Sequence, residues 1–66
     1  MKNRLKVQRA IHDLTQADLA EKIGVTRQSI NAIEKGKYVP STVLALKIAR
    51  LFDESVENIF TLEDND

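Results

Sequence analysis

Residues 16–35 of this 66-residue chain read QADLAEKIGVTRQSINAIEK, and this stretch decides the fold. It predicts a helix of two turns, a tight turn at Gly24 and then a second helix. Gly24 follows Ile23 and suits the left-handed position that ends a helix, a conformation that costs a residue with a Cβ about 1 kcal/mol. Ala20 has to be small because we expect the second helix to cross close above it. The stretch therefore predicts two short helices packed in contact.

Cap residues mark the ends of these two helices, and three further helices are predicted around them. The first is rich in good helix formers, Pro40-Ser41 starts the fourth and Ser55 caps the fifth. Thr15 and Asp18 form the pattern of a capping box before the first helix of the pair, and Thr26 caps the second. Gly36 stops that second helix. Alternation typical of strands is almost absent, and we expect residues 63–66 to form a frayed tail. The five predicted helices cover about residues 3–12, 16–23, 27–35, 41–52 and 55–61.

Apolar residues repeat at helical spacing on the predicted helices, which indicates one shared core. A chain of this length allows one domain, residues 1–66, and we predict an all-α fold of five helices. Val7 and Ile11 lie on a separate face of the first helix, where we expect them to cover the C-terminal segment. The predicted core residues are Leu5, Leu14, Leu19, Ala20, Ile23, Val25, Ile30, Ile33, Val43, Leu44, Ile48, Leu51, Phe52, Val56, Ile59 and Phe60.

The composition argues against several classes of function. The chain has no cysteine and one histidine, His12, which we expect at the surface of a helix end. No carboxylate pair lies where a pocket is expected, so we predict neither an enzyme nor a metal site, a cofactor or a small-molecule site. The sequence contains no signal-peptide pattern and no run near the ~20 apolar residues of a membrane span. These features predict a cytoplasmic protein without a membrane partner.

The formal net charge is zero, but the charges are unevenly divided along the chain. All ten Lys and Arg residues lie within residues 1–50 beside four acidic residues, which gives this part a net charge of +6. Residues 51–66 carry six acidic residues and no basic one, a net charge of −6. We expect a basic body suited to phosphate groups and an acidic end turned away from them. The alternative is an evenly solvated set of charges.

A run over residues 15–37, TQADLAEKIGVTRQSINAIEKGK, resembles the Cro/cI-type helix-turn-helix family, also called the Xre family. The resemblance continues through Pro40, Ser41, Leu44, Lys47, Ile48 and Ala49 and covers nearly the whole chain. It implies a lambda-repressor-like domain with its helix-turn-helix motif at residues 16–35. It also implies a transcriptional regulator whose partner is double-stranded operator DNA. The second helix of the motif, residues 27–35, is then the recognition helix in a major groove ~12 Å wide.

The predicted DNA contacts divide into bases and phosphates. Arg27 suits guanine O6 and N7, and Gln28 suits adenine N6 and N7. Ala32 offers a methyl group to thymine, and Asn31 reaches a base or a phosphate. The resemblance implies that Gln16 binds a phosphate at the start of its helix. The predicted base-reading residues are Arg27, Gln28, Asn31 and Ala32, and the predicted phosphate-binding residues are Gln16, Thr26, Ser29, Lys35, Lys37 and Tyr38.

Several of these residues also have a purely structural interpretation. Thr26 is first of all a helix cap, Ser29 is equally a solvent-facing residue, and Tyr38 equally covers a loop. The resemblance implies that Arg9 and Glu34 form an ion pair between the first helix and the recognition helix. We assign that pair to the scaffold.

A domain of this size contacts few phosphates, so we predict a homodimer on a palindromic operator with recognition helices ~34 Å apart. The last helix carries more apolar residues than a core of this size needs. Its predicted dimer interface consists of Val56, Ile59, Phe60 and Leu62. The alternative is that these residues all pack within one protomer.

Before this helix, Asp53 stands where relatives often have glycine, and aspartate tolerates the left-handed conformation better than most residues.

We predict a repressor that acts through this recognition helix. One alternative within DNA binding is the antitoxin component of a toxin–antitoxin pair. Another is a protein-interaction module of the same fold that does not bind DNA. Arg27, Gln28 and the flanking lysines argue against that module, because a surface that binds only protein has no reason to keep them together.

Overall fold

Five helices and one small sheet form the structure of residues 1–66, which is a computed structural model. The helices are α1 (Leu5–Ile11), α2 (Gln16–Ile23), α3 (Arg27–Glu34), α4 (Thr42–Phe52) and α5 (Val56–Ile59). The sheet consists of β1 (Lys2–Asn3) and β2 (Phe60–Thr61). The prediction of a five-helix fold is confirmed, and the sheet is an addition to it. None of the helices has both the length and the apolar character needed to cross a membrane.

Hydroxyl caps begin four of the five helices. The Thr15 hydroxyl accepts a hydrogen bond from the backbone N–H of Asp18, and the Asp18 carboxylate accepts one from the backbone N–H of Thr15, each at 3.0 Å. This reciprocal pair is the predicted capping box. The other hydroxyl caps are Thr26 before α3, Ser41 before α4 and Ser55 before α5. These caps satisfy backbone donors that a helix start otherwise leaves open.

Four helices end at or next to a residue in the left-handed region, namely Asp13 after α1, Gly24 after α2, Gly36 after α3 and Asp53 after α4. Gly24 ends α2 with φ of 77°, as its position in the sequence predicts. Asp53 ends α4 with φ of 53°, so an aspartate makes the left-handed turn here. An aspartate is one of the few residues with a Cβ that adopts this conformation with modest strain.

One apolar core joins all five helices. Its twelve buried residues are Leu5, Leu19, Ala20, Ile23, Ile30, Ile33, Leu44, Ile48, Ala49, Phe52, Ile59 and Phe60. Leu14, Val25, Leu51 and Val56 are partly buried against it, so most of the predicted core is confirmed. The prediction is wrong for Val43, which is 63% exposed on the outer face of α4. Val7 and Ile11 are also exposed, and they do not cover the C-terminal segment as expected.

The two chain ends pair with each other. Lys2 lies opposite Thr61 and Asn3 opposite Phe60 in the antiparallel sheet, and the Arg4 N–H donates to the Ile59 carbonyl at 2.8 Å. This pairing explains why α1 begins at Leu5 rather than at residue 3, and why α5 ends before Phe60. Backbone groups at both ends find partners across the sheet instead of within a helix.

The C-terminal tail is folded back onto the first residue, contrary to the expectation of fraying. The amino group of Met1 lies 3.0 Å from a carboxylate oxygen of Glu63 and 3.1 Å from one of Asp66. The pKa of this amino group is raised, because hydrogen bonds to Glu63 and Asp66 favour its charged form. The acidic end therefore packs beside the N-terminus.

Candidate nucleic-acid interface

Helix α3 lies on the surface with one face in the core and one face free. Ile30 and Ile33 are buried and fix the inner face. Arg27 and Gln28 are exposed at the start of the helix, while Ser29, Asn31 and Ala32 are partly exposed. The structure thus brings all four predicted base-reading residues to the accessible side of one helix.

The start of α3 is held by two hydroxyl groups. The backbone N–H of Ser29 donates to the Thr26 hydroxyl at 3.1 Å, and the two hydroxyl oxygens lie 3.0 Å apart. The cap role of Thr26 is therefore present, and Ser29 adds a second hydrogen bond to it. Phosphate binding by either residue stays a prediction.

An ion pair connects α1 to the end of α3. Arg9 donates from Nε to one carboxylate oxygen of Glu34 at 2.6 Å and from Nη2 to the other at 3.0 Å. Its remaining Nη1 donates to the Leu14 carbonyl oxygen at 3.0 Å. This two-point contact confirms the predicted scaffold pair and fixes both planar groups in one orientation.

The Glu34 carboxylate stays ionised in this setting. Burial by itself raises its pKa, but hydrogen bonds from Arg9 and Gln16 and the positive charge of Arg9 outweigh burial and hold the pKa below its usual range. Glu34 is therefore only a hydrogen-bond acceptor near neutral pH.

The Gln16 side chain forms hydrogen bonds within the protein that its position in the sequence did not predict. Its Nε2 donates to Glu34 at 3.1 Å and to the Asn31 side-chain oxygen at 3.3 Å. An amide nitrogen has two N–H groups, so both side-chain donors of Gln16 have partners. A phosphate at the start of α2 would then meet backbone N–H groups of its first turn. Phosphate binding by Gln16 stays a prediction.

The loop after α3 carries the other predicted phosphate-binding residues. Lys35 and Lys37 are exposed, and Tyr38 is about half exposed. Gly36, with φ of 73°, reverses the chain between the two lysines. The backbone N–H of Lys37 donates to the Ala32 carbonyl oxygen at 2.9 Å, which ties this basic loop to the end of the recognition helix.

The acidic end is not turned fully away from this loop. A cavity of about 480 Å³ is lined by Lys2 and Lys35 and also by Glu63. The expected separation of a basic body from a remote acidic tail is therefore wrong at this edge. The pairing of β1 with β2 is the reason, since it returns the chain beside the N-terminus.

The predicted dimer residues have different surroundings. Ile59 is completely buried and Phe60 nearly so, both within the protomer's own core. Val56 is partly buried, and Leu62 is 77% exposed. A groove of about 270 Å³ is lined mainly by apolar residues, among them Val39, Leu46, Val56 and Phe60. We call this surface the α4–α5 groove. Ile59 is fully buried and has no surface to offer a second copy.

Comparisons with known proteins agree with this geometry. The sequence model described as Helix-turn-helix matches residues 5–59. The chain is 61% identical over 66 residues, the full length of both chains, to an uncharacterized HTH-type transcriptional regulator of Methanocaldococcus jannaschii. It is 52% identical over 64 residues to the uncharacterized HTH-type transcriptional regulator YgzD of Bacillus subtilis, covering 97% of each chain.

A solved structure is similar as well. The restriction-modification controller protein C.AhdI from Aeromonas hydrophila superposes with a TM-score of 0.76 at 30% identity, covering 85% of each chain. The family match spans α1 to α5 and includes the recognition helix and its scaffold pair. The chain belongs to the Cro/cI-type, or Xre, family of helix-turn-helix transcriptional regulators.

Proposed function

We propose that this protein is a repressor that binds a palindromic operator as a homodimer and reads it with α3. The observation that carries the proposal is the exposure of Arg27 and Gln28, with Asn31 partly exposed beside them, on a helix whose other face is packed in the core. A rigid helix with donors at its start fits the major groove, where each base pair presents its own pattern of donors and acceptors. Arg27 binds guanine in this proposal and Gln28 binds adenine.

Phosphate contacts set the position of the helix on DNA. Lys35, Lys37 and Tyr38 follow the recognition helix in the chain, and α2 precedes it; in this proposal these residues and the N-terminus of α2 contact the DNA backbone. Contacts of this kind carry no sequence information, but they supply much of the affinity and make it dependent on salt. A bound dimer represses by occupying the operator.

The α4–α5 groove is the surface that we assign to the second copy. Leu46 is 56% exposed at its edge, Val39 is similarly exposed, and Leu62 follows the strand that carries Phe60. The outer face of α4 continues this apolar surface through Val43, beside Lys47 and Arg50.

The distribution of charge favours a second copy of this chain as the occupant of the groove. The C-terminal segment, residues 51–66, has a net charge of −6, and Lys47 and Arg50 lie on the neighbouring surface of α4 that shares Leu46 with the groove. Two copies related by a two-fold axis would set the acidic segment of each against these cations of the other. Association also stabilises a domain too small to bury a large core.

Selection of bound sequences from a random DNA pool, at two salt concentrations, tests DNA binding and symmetry together. We expect a palindrome to be enriched and the affinity to fall steeply as salt rises. A pool that stays flat even at low salt contradicts the proposal and favours a protein-interaction module.

Sedimentation tests the dimer surface. Leu46→Glu places a charge in the groove and is expected to shift the protein toward the monomer. Ile11→Glu is the matched control, because Ile11 is 67% exposed on α1, outside the groove. A wild-type protein that stays monomeric at micromolar concentration, with and without operator, contradicts the homodimer. Equal effects of the two variants contradict this interface.

A further inference from the structure

Residues 63–66 form a structured acidic segment, which we call the acidic tail. It contains Glu63, Asp64 and Asp66. A turn closes the tail on itself, because the backbone N–H of Glu63 donates to a carboxylate oxygen of Asp66 at 2.7 Å and the backbone N–H of Asp66 donates to the Glu63 carbonyl oxygen at 3.0 Å. Contacts of both carboxylates with the amino group of Met1 hold this turn beside the start of β1. The acidic tail therefore has a defined place on the protein.

Met1 connects the acidic tail to the basic loop after α3. Its carbonyl oxygen lies 3.9 Å from the position that a Cβ on Gly36 would take, and its amino group lies 3.0 Å from a carboxylate oxygen of Glu63. Lys35 and Glu63 consequently line the same cavity of about 480 Å³, together with Lys2. Charges that face each other across a cavity of this size are separated by a distance comparable with the Debye length, ~8 Å at physiological salt. Salt therefore screens the attraction between the tail and the two lysines only in part.

Neither Lys2 nor Lys35 is held by an ion pair of its own. Their ammonium groups can turn toward the acidic tail or toward a DNA phosphate, because carboxylate and phosphate oxygens are acceptors of the same kind. Glu34 also lines the cavity, but Arg9 already compensates its charge through two hydrogen bonds. Glu63 is therefore the carboxylate of this cavity that attracts the two lysines.

We propose that the acidic tail is an autoinhibitory contact that competes with DNA phosphates for the basic loop, and that Glu63 carries most of this effect. The inference rests on the proposed DNA binding by α3 and the lysines that follow it. Phosphate contacts supply essentially all of the affinity for arbitrary sequences, so the tail limits binding to non-specific DNA. It lowers the affinity for every sequence alike, because phosphate contacts carry no sequence information.

Glu63→Gln tests the proposal, because it removes the charge and keeps an oxygen for the Met1 amino group. Fluorescence anisotropy measures binding to a duplex of random sequence. We expect the affinity at low salt to rise about threefold, the size of one partly exposed charge interaction. The gain should shrink as salt is added, since the added ions screen the charges. Glu63→Asp keeps the charge and should bind like wild type; a gain as large as that of Glu63→Gln would contradict an electrostatic effect.

Glu57→Gln is the matched control, because Glu57 is an exposed carboxylate of α5 that does not line the cavity. It changes the net charge by the same amount and should raise the affinity clearly less than Glu63→Gln does. Equal gains would mean that net charge alone acts, and the proposal would be wrong. A Lys35→Gln background identifies the target of the tail, since most of the gain from Glu63→Gln should disappear in it. A full gain in that background would contradict competition for the basic loop.

The possible results separate this inference from the proposed function. If wild type binds the random duplex with a steep salt dependence but Glu63→Gln does not bind it more tightly, the autoinhibitory role is wrong and the proposed DNA binding stands. If wild type binds neither the random duplex nor any selected sequence at low salt, the proposed function fails, and the inference fails with it. Urea denaturation verifies that each variant is folded.

Discussion

The side-chain amide of Asn3 donates a hydrogen bond to the carbonyl oxygen of Ile33 at 2.8 Å, so the N-terminal strand holds the last turn of the recognition helix. The oxygen of the same side chain accepts from the backbone N–H of Leu5 at 3.2 Å and so supports the start of α1. One asparagine thus connects β1, α1 and α3. Since β1 also pairs with β2, the position of the recognition helix depends on both chain ends.

Replacing Asn3 should therefore destabilise the fold. Asn3→Ala leaves the Leu5 N–H without its acceptor and removes the link to Ile33, and we expect it to lower the free energy of unfolding by about 1–2 kcal/mol. Urea denaturation measures this loss. Lys2→Ala, at the neighbouring exposed position of β1, is the control and should change stability by less than about 0.5 kcal/mol. Similar losses for both variants would show that the strand matters and the Asn3 side chain does not.

The helices and their caps were predictable from the sequence because their signals are local. Thr15 with Asp18, Thr26 before α3 and Gly24 after α2 each act within a few residues. The sheet was not predictable, because a two-residue strand shows no alternation and its partner lies about sixty positions away. Val43 was misassigned for a related reason, since its helical spacing alone does not reveal that this face of α4 is uncovered.

The candidate site, too, could be predicted only in part from the sequence. Its place on the chain and the Arg9–Glu34 pair followed from the resemblance, because the family spacing fixes which positions of the motif face each other. The hydrogen bonds from Gln16 to Glu34 and Asn31 did not follow, because they span 18 and 15 positions and depend on the relative placement of α2 and α3. A polar residue at the start of α2 opposite an asparagine of α3 is the signal that points to them.

Breaking the Arg9–Glu34 pair from one side should be costly. Arg9→Met removes the cation and leaves the largely buried Glu34 carboxylate without its main partner, and we expect a loss of about 3 kcal/mol in the free energy of unfolding. The double variant Arg9→Met with Glu34→Met removes the isolated charge and should recover much of that loss. Urea denaturation of wild type, the single variant and the double variant measures the three free energies of unfolding. A double variant less stable than the single one would mean that the ion pair itself contributes the stability.

Acid should weaken the fold through Glu34. Its pKa is lower in the folded protein than the ordinary value of 4.5, so its contribution to stability is present above that value and is lost as the pH falls through the folded pKa. The test is the free energy of unfolding of wild type and of Glu34→Gln, measured by denaturation from neutral to acid pH. The gap in stability between them should be widest near pH ~7 and should narrow below pH ~4.5. Parallel curves over the acid range would contradict a lowered pKa for Glu34.

Substitution of Arg27 and substitution of Lys37 should change DNA binding in different ways. Arg27 opens the recognition helix, and Arg27→Ala is expected to relax the preference at one base pair of each half-site, by about 1–3 kcal/mol of discrimination. Lys37 lies in the loop beyond the helix, and Lys37→Ala should weaken binding to all sequences evenly and reduce the salt dependence by about one unit of slope. Binding curves on the operator and on random DNA, each at several salt concentrations, separate the two effects. If both variants lose affinity equally on specific and random DNA, Arg27 is a phosphate contact, and base reading falls to Gln28 and Asn31.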